Sequence, residues 1–300
     1  MSKNRKIKNR SALATLKNWF TDLRAIRKRI KARPEAALTA KGMQSEGIEV
    51  WSLKPESDAS SWFFAPQPKR RLISLCRTAS HTDWGDFPTW TDRRIYSGDY
   101  ALGKVFASWI LPNHVRRSID ELLLFNTSGS VDVTKNWRLK PYSPNWTIYD
   151  ASMVCKSKPH MTLSLVTDCK GNDETLTTSE LAVITCFLQS SISMQINRKN
   201  RQSRRYKPSH MICPILIVSV LNCLQARLIE AYFDGGLKIH YSKLYDFNDT
   251  HHKDQMDLFV RWMIPRTRGN TAWISPLPAL TESCEEADEL CSYGTGTWLF

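Results

Sequence analysis

The stretch Ile212–Leu221, ICPILIVSVL, is ten residues long and apolar almost throughout. A helix that crosses a bilayer needs about 18 or more such residues, so this run is too short for one. Its length and β-branched content suit a strand covered on both faces. The next twenty residues supply its neighbours. Ala226–Phe233 reads as a second strand, Asp234–Gly236 supplies residues that tolerate positive φ, and Leu237–Tyr241 reads as a third. In that third strand Leu237, Ile239 and Tyr241 face one way and Lys238 and His240 the other, which predicts one covered and one wet face. The expected fold is α+β: an antiparallel β-meander packed with helices, preceded by a basic amphipathic N-terminal helix.

Upstream, His160–Asp168 reads as a strand ending in the turn CKGND. Thr177 and Glu180 then form a capping box, three residues apart, ahead of a helix over Thr178–Met194 with Leu181, Ile184, Leu188 and Ile192 on one side. Asp249 can cap another helix, bearing Met256, Phe259, Val260 and Met263 and stopped by Pro265. Asn113 can cap a helix over HVRRSIDELLLF, and the surrounding tryptophan-rich stretch from Trp51 to Trp146 reads as short strands and loops.

Charge divides the chain. The formal net charge is +13, and residues 1–33 hold 12 Lys and Arg against one acid, Asp22. That segment carries +11 and the other 267 residues +2, so the pattern is a basic arm on a near-neutral body. Within the arm, Leu13, Leu16, Phe20, Leu23 and Ile30 recur at helical spacing, and Pro34 ends the helix. Lys17, Arg24, Arg27, Lys28, Arg29 and Lys31 are the candidate anion-binding residues, suited to nucleic acid or an anionic membrane surface. Residues 34–60 lack clear periodicity and read as a linker. Residues 61–275 read as the α+β body, with two subdomains meeting near residue 150 as one division of it. Residues 276–300 read as an acidic, loosely structured tail. Asn197–Lys207, NRKNRQSRRYK, reads as an exposed basic loop.

Eight cysteines are scattered without a CxxC pair, which suits reduced, buried thiols rather than a disulfide scaffold. No secretory signal pattern occurs, and the expectation is an intracellular protein; the sequons at Asn126, Asn145 and Asn248 are then chance matches. The RKRIK run at Arg27–Lys31 favours the nucleus over the cytoplasm or mitochondrion. Together, HMICPILIVSV, ARLIEAYFDG and KLYDF resemble a segment recurring in uncharacterised proteins of filamentous fungi. The resemblance covers residues 210–247 and implies an intracellular fungal protein without naming any chemistry.

Candidate chemistry is sparse. YDFN at Tyr245–Asn248 lacks the glycine of a kinase metal-binding motif, and no HRD-type loop precedes it. Adjacent His251 and His252 point about 100° apart on a helix and cannot readily share a metal ion. His81, Asp83 and Asp86 lie in a loop of turn formers, which brings such residues together without a metal. One constellation remains. Asp150, then Asp168 and Lys170 at the end of a strand, is the arrangement of PD-(D/E)XK nucleases, where two carboxylates hold Mg²⁺ and the lysine orients water. Tyr149 stands where that motif has proline. The leading expectation is a non-catalytic binding or accessory protein, without cofactor or metal, whose basic arm contacts an anionic partner. The alternatives are the nuclease and an accessory protein of a fungal metabolic pathway.

Overall fold

The computed structural model describes residues 3–57, 60–69, 146–153, 158–167, 169–201, 210–221, 225–247, 252–263 and 265–272. The helices are α1 (Lys3–Ala32), α2 (Ala40–Ser45), α3 (Thr178–Arg201) and α4 (His252–Met263). The strands are β1 (Ala37–Thr39), β2 (Ile48–Ser52), β3 (Phe64–Ala65), β4 (Trp146–Met153), β5 (Met161–Thr167) and β6 (Thr175–Thr177). They continue with β7 (Ile215–Leu221), β8 (Gln225–Phe233), β9 (Leu237–Tyr241), β10 (Tyr245–Asp246) and β11 (Arg266–Thr267). The expected helix at residues 113–125, the His81–Asp86 cluster and the acidic tail lie outside the described residues.

The meander forms as its sequence predicts. β7 is buried along its whole length, β8 pairs antiparallel with it, and β9 pairs antiparallel with β8. Gly235, at φ 117°, turns the chain between β8 and β9 in a conformation that a side chain resists. Lys238 Nζ donates to Asp234 Oδ2 at 2.6 Å across the same turn.

Around this core the sheet is mixed rather than purely antiparallel. Its order is β2-β9-β8-β7-β5-β4, with β10 also on β8. Two of the joins, β5 with β7 and β2 with β9, are parallel. A parallel join needs a crossover connection, and α3 supplies one between β5 and β7. The capping box forms as predicted: Glu180 N donates to Thr177 Oγ1 at 3.1 Å, and Thr177 N to Glu180 Oε2 at 2.8 Å. The helix runs past Met194 to Arg201, so the first residues of the expected basic loop are helical.

Helices cover one face of the sheet. Leu163, Leu165, Ile217, Ile229, Ile239 and their neighbours pack there against α3, and α1 packs along α3. On the other face Val218, Val220, Leu228 and Tyr232 meet Phe63, Phe64 and the α4 residues Phe259 and Trp262.

Three expectations need correction. Residues 34–60 are not a linker, because they contain β1, α2 and the sheet strand β2. The basic amphipathic N-terminal helix is present as expected, but it is packed into the body rather than forming a separate segment. Ala12, Leu16, Trp19, Leu23, Ile26 and Ile30 of α1 are buried, at alternating spacings of four and three residues. That spacing keeps one narrow seam against a neighbouring helix. Leu13 and Phe20, expected in the stripe, flank it half-buried. Burying each Leu or Ile contributes about 1.5–3 kcal/mol, so α1 is part of the core rather than an appendage to it. Finally, β9 has no wet face at His240, which is 3% exposed and stacked on Trp51 with ring centroids 4.9 Å apart.

Candidate nucleic-acid interface

With its seam buried, α1 turns a row of four cations outward. Lys17, Arg24, Lys28 and Lys31 stand at i, i+7, i+11 and i+14, and all four are exposed. At about 100° per residue these positions fall within one stripe roughly 60° wide, and at ~1.5 Å per residue it runs about 21 Å. Asp22, the lone acid of α1, falls well off that stripe.

The other two named cations are held by hydrogen bonds to neighbouring elements, Arg29 while still half exposed. Arg27 is half-buried, and its Nη1 donates to Gln189 Oε1 of α3 at 3.2 Å. Arg29 Nε donates to Glu46 Oε2 at 2.7 Å and its Nη2 to the Glu46 carbonyl at 2.9 Å. Arg33 Nε adds a third bond, to Glu46 Oε1 at 2.9 Å. The Arg33 hydrogen bond, joined by Arg29, holds the Glu46 carboxyl below the usual carboxylate range. Arg29 and Arg33 thus fix the end of α2 to α1. Four of the six predicted anion-binding residues lie exposed in one stripe; Arg27 is tied to Gln189 and the exposed Arg29 to Glu46.

Of the nuclease constellation, only Asp150 and Lys170 lie among the described residues. Asp150 lies on β4 opposite Ser164, beside an irregularity in register after Ile148. Lys170 is exposed beyond the end of β5 at Thr167. Ser164 and Thr167 are three residues apart, about 10 Å along a strand, and Lys170 lies three residues beyond Thr167. Asp168 lies outside the described residues. Among the described residues no group of three or more His, Cys, Asp or Glu side chains is placed to hold a metal ion.

Sequence reasoning missed two buried polar networks. On the α1–α3 face, Arg227 and Glu180 are both 0% exposed and paired. Arg227 Nε donates to Glu180 Oε1 at 2.8 Å and Nη2 to Oε2 at 2.5 Å, a bidentate fork. Arg227 Nη1 donates to the carbonyls of Thr175 at 2.7 Å and Asn172 at 3.0 Å, and Ser219 Oγ donates to Glu180 Oε1 at 2.6 Å. Burial pushes the Glu180 carboxyl up, but Arg227, Ser219 and the Thr177 amide outweigh it and hold the group ionised.

On the opposite face, Glu230 accepts from Ser61 Oγ, from Trp62 N at 3.0 Å and from Phe63 N at 3.1 Å. Burial there wins and pushes the carboxyl up to about 7. His160 Nε2 donates to the Arg268 carbonyl at 3.0 Å, while His160 Nδ1 and His240 Nε2 have no hydrogen-bond partner among the described residues. These networks staple segments to the sheet. The available signal was Arg227 and Glu230 in a strand otherwise almost wholly apolar, where a buried charge requires a partner.

No family model, no curated protein and no solved structure matches the chain. Among the described residues no helix is long and apolar enough to cross a membrane.

Proposed function

We propose that this protein is a non-catalytic binding module that holds a nucleic acid through its phosphates along the outer stripe of α1. The observation that carries the proposal is the exposure of Lys17, Arg24, Lys28 and Lys31 on one face of a helix whose opposite face is buried. A membrane-surface helix needs a free apolar face to enter the bilayer. In α1 that face is occupied: Trp19 is buried, its ring 5.7 Å from that of Phe233. A row of exposed cations without a free apolar face suits a partner that is all surface charge. The nucleus, favoured by the RKRIK run, is the compartment that such a partner suits best.

Deleting residues 1–33 would remove part of the core, so the test reverses charge instead. The variant Lys17→Glu/Arg24→Glu/Lys28→Glu/Lys31→Glu keeps good helix formers at every position. Its melting temperature should stay close to that of the native protein. In fluorescence anisotropy with duplex DNA, the native protein should lose affinity steeply with salt, because each neutralised phosphate releases counterions. With four contacts the slope of log K against log salt is about −3.6, a loss of roughly 100-fold between about 50 and 200 mM salt. The variant should lose most of the binding and most of that slope. Equal binding by both proteins would refute the proposal.

A further inference from the structure

We infer that the outer edge of β2 takes an extended, basic peptide as a further strand of the sheet, with one cation of the peptide against Glu49 and another over Trp51. This surface is separate from the α1 stripe proposed for phosphates and does not depend on that reading.

The backbone of β2 is open to pairing. β2 ends the sheet order, pairs parallel with β9 over five unbroken positions, and has no other strand partner among the described residues. Its outer N–H and C=O groups are a template for one more strand. Natural edge strands discourage such pairing with Lys, Pro or a bulge. Ile48–Ser52 holds neither Lys nor Pro, and Glu49, Trp51 and Ser52 are exposed.

The side chains on this edge decide what a partner strand carries. Glu49 and Trp51 stand in register with Lys238 and His240 of β9, on the face that β8 lines with Tyr232. Both call for a cation. Lys238, the register neighbour of Glu49, is already held by Asp234 at 2.6 Å, and the exposed Glu49 side chain has no ion-pair partner among the described residues. Two residues on, Trp51 is 42% exposed and stacks on His240, the ring centroids 4.9 Å apart and the planes 19° from parallel. His240 stacks in turn on Tyr232 at 6.1 Å, and Lys238 Nζ lies 5.9 Å from the centre of the Tyr232 ring. The stack thus begins inside the sheet with a cation on an aromatic face, and it ends at the edge on an indole open to solvent. Among side chains the indole face attracts a cation most strongly. His240 is buried and neutral, so it supports the indole without placing a charge behind it. An arginine suits both places, because its guanidinium stacks on a ring and forks to a carboxylate.

Between the two, Val50 points to the α1–α3 side and is half-buried against the core there. An added strand alternates in the same way whichever direction it runs, so the matching segment reads basic, apolar, basic. Opposite charges across a strand pair stabilise it, and like charges oppose it.

The test uses the full chain and a labelled, end-capped peptide, Arg-Val-Arg-Val-Arg, followed by fluorescence anisotropy. The controls are Glu-Val-Glu-Val-Glu and the arginine peptide with its backbone amides methylated, which cannot form the ladder. The native protein should bind the arginine peptide and neither control. Trp51→Ala should weaken binding about fivefold or more, and Trp51→Phe should restore part of it, since a phenyl face attracts a cation less than an indole does. Glu49→Gln alters only an exposed side chain; it should weaken binding about two- to fivefold and serves if Trp51→Ala fails to fold. Equal binding by the native, Trp51→Ala and Glu49→Gln proteins overturns the inference, as does absence of peptide binding. Undiminished binding of the methylated peptide overturns strand addition, and equal binding of the acidic peptide overturns the charge match. A dimer of the native protein in sedimentation equilibrium that Trp51→Ala dissociates assigns the edge to a second copy and overturns the peptide.

Discussion

On the α1–α3 face of the sheet Glu180 is fully buried and ionised, whereas on the α4 face Glu230 is equally buried and its carboxyl is pushed up to about 7. Both use both oxygens. Glu180 accepts from a guanidinium, two hydroxyls and a backbone amide; Glu230 accepts from a hydroxyl and two backbone amides. The donors differ by one full charge, and that charge decides the outcome. Three neutral donors offset much of the cost of burying a carboxylate but leave desolvation ahead. A bidentate guanidinium reverses the sign. The strand β8 supplies both sides of the contrast, because Arg227 and Glu230 point to opposite faces three residues apart.

The largest expected effect comes from breaking the ionised pair. Glu180→Gln leaves Arg227 buried with no counter-charge, and should cost about 3–5 kcal/mol in urea unfolding. Arg227→Met strands the carboxylate and should cost a similar amount. The double variant should cost clearly less than the sum of the two, because it removes both charges at once. Additive losses would mean that the two residues act independently, against the fork seen between them.

The same substitution on the other face should do little. In Glu230→Gln the carboxamide oxygen still accepts from Trp62 N and Phe63 N, and its NH₂ can donate to Ser61 Oγ, which rotates to accept. The cost near pH 5 should be under about 1 kcal/mol. Above about pH 7 the variant should match or exceed the native protein, since it never ionises in a dry site. A loss as large as that of Glu180→Gln would erase the distinction between the two faces.

How much of this was legible in the sequence depended on the range of each interaction. The meander was legible because β7, β8 and β9 follow one another and the turn at Gly235 carries its own chemistry. The cap at Thr177 and Glu180 was legible for the same reason, being local. What failed was long-range. Glu180 reads as a capping residue, and nothing nearby announces that Arg227, 47 positions away, completes its site. Residues 34–60 lack periodicity because they form two three- to five-residue strands and a short helix, each too brief to show a pattern. β9 looked half-wet because alternation records polarity, and His240 is a polar ring buried by its apolar faces between Trp51 and Tyr232. At the candidate site the cations were visible in α1, but which of them face outward required knowing which side of the helix is buried.

The smallest effect, and the finest test of the contrast, is the pH dependence of stability near neutrality. His160 and His240 are lowered to about 4, chiefly by burial, so both are neutral in the fold. Their contribution is complete above the ordinary histidine value of about 6.5 and is lost as pH falls toward 4, because the unfolded chain takes up the protons first. Glu230 acts in the other direction: its contribution is complete below about 4.5 and is lost as pH rises through about 7. Between about pH 4.5 and 6.5 two histidines oppose one glutamate, and the net expectation is a rise in stability with pH. Glu230→Gln removes the opposing group and should steepen that rise. His240→Phe should flatten it, and at neutral pH it should alter stability by no more than about 1 kcal/mol, since it also removes a ring nitrogen that lacks a partner. Urea midpoints measured across this range for the three proteins check the assignment. If His240→Phe leaves the slope unchanged, His240 is not held neutral by its stacked rings, and the α4 face does not treat its buried groups as neutral ones.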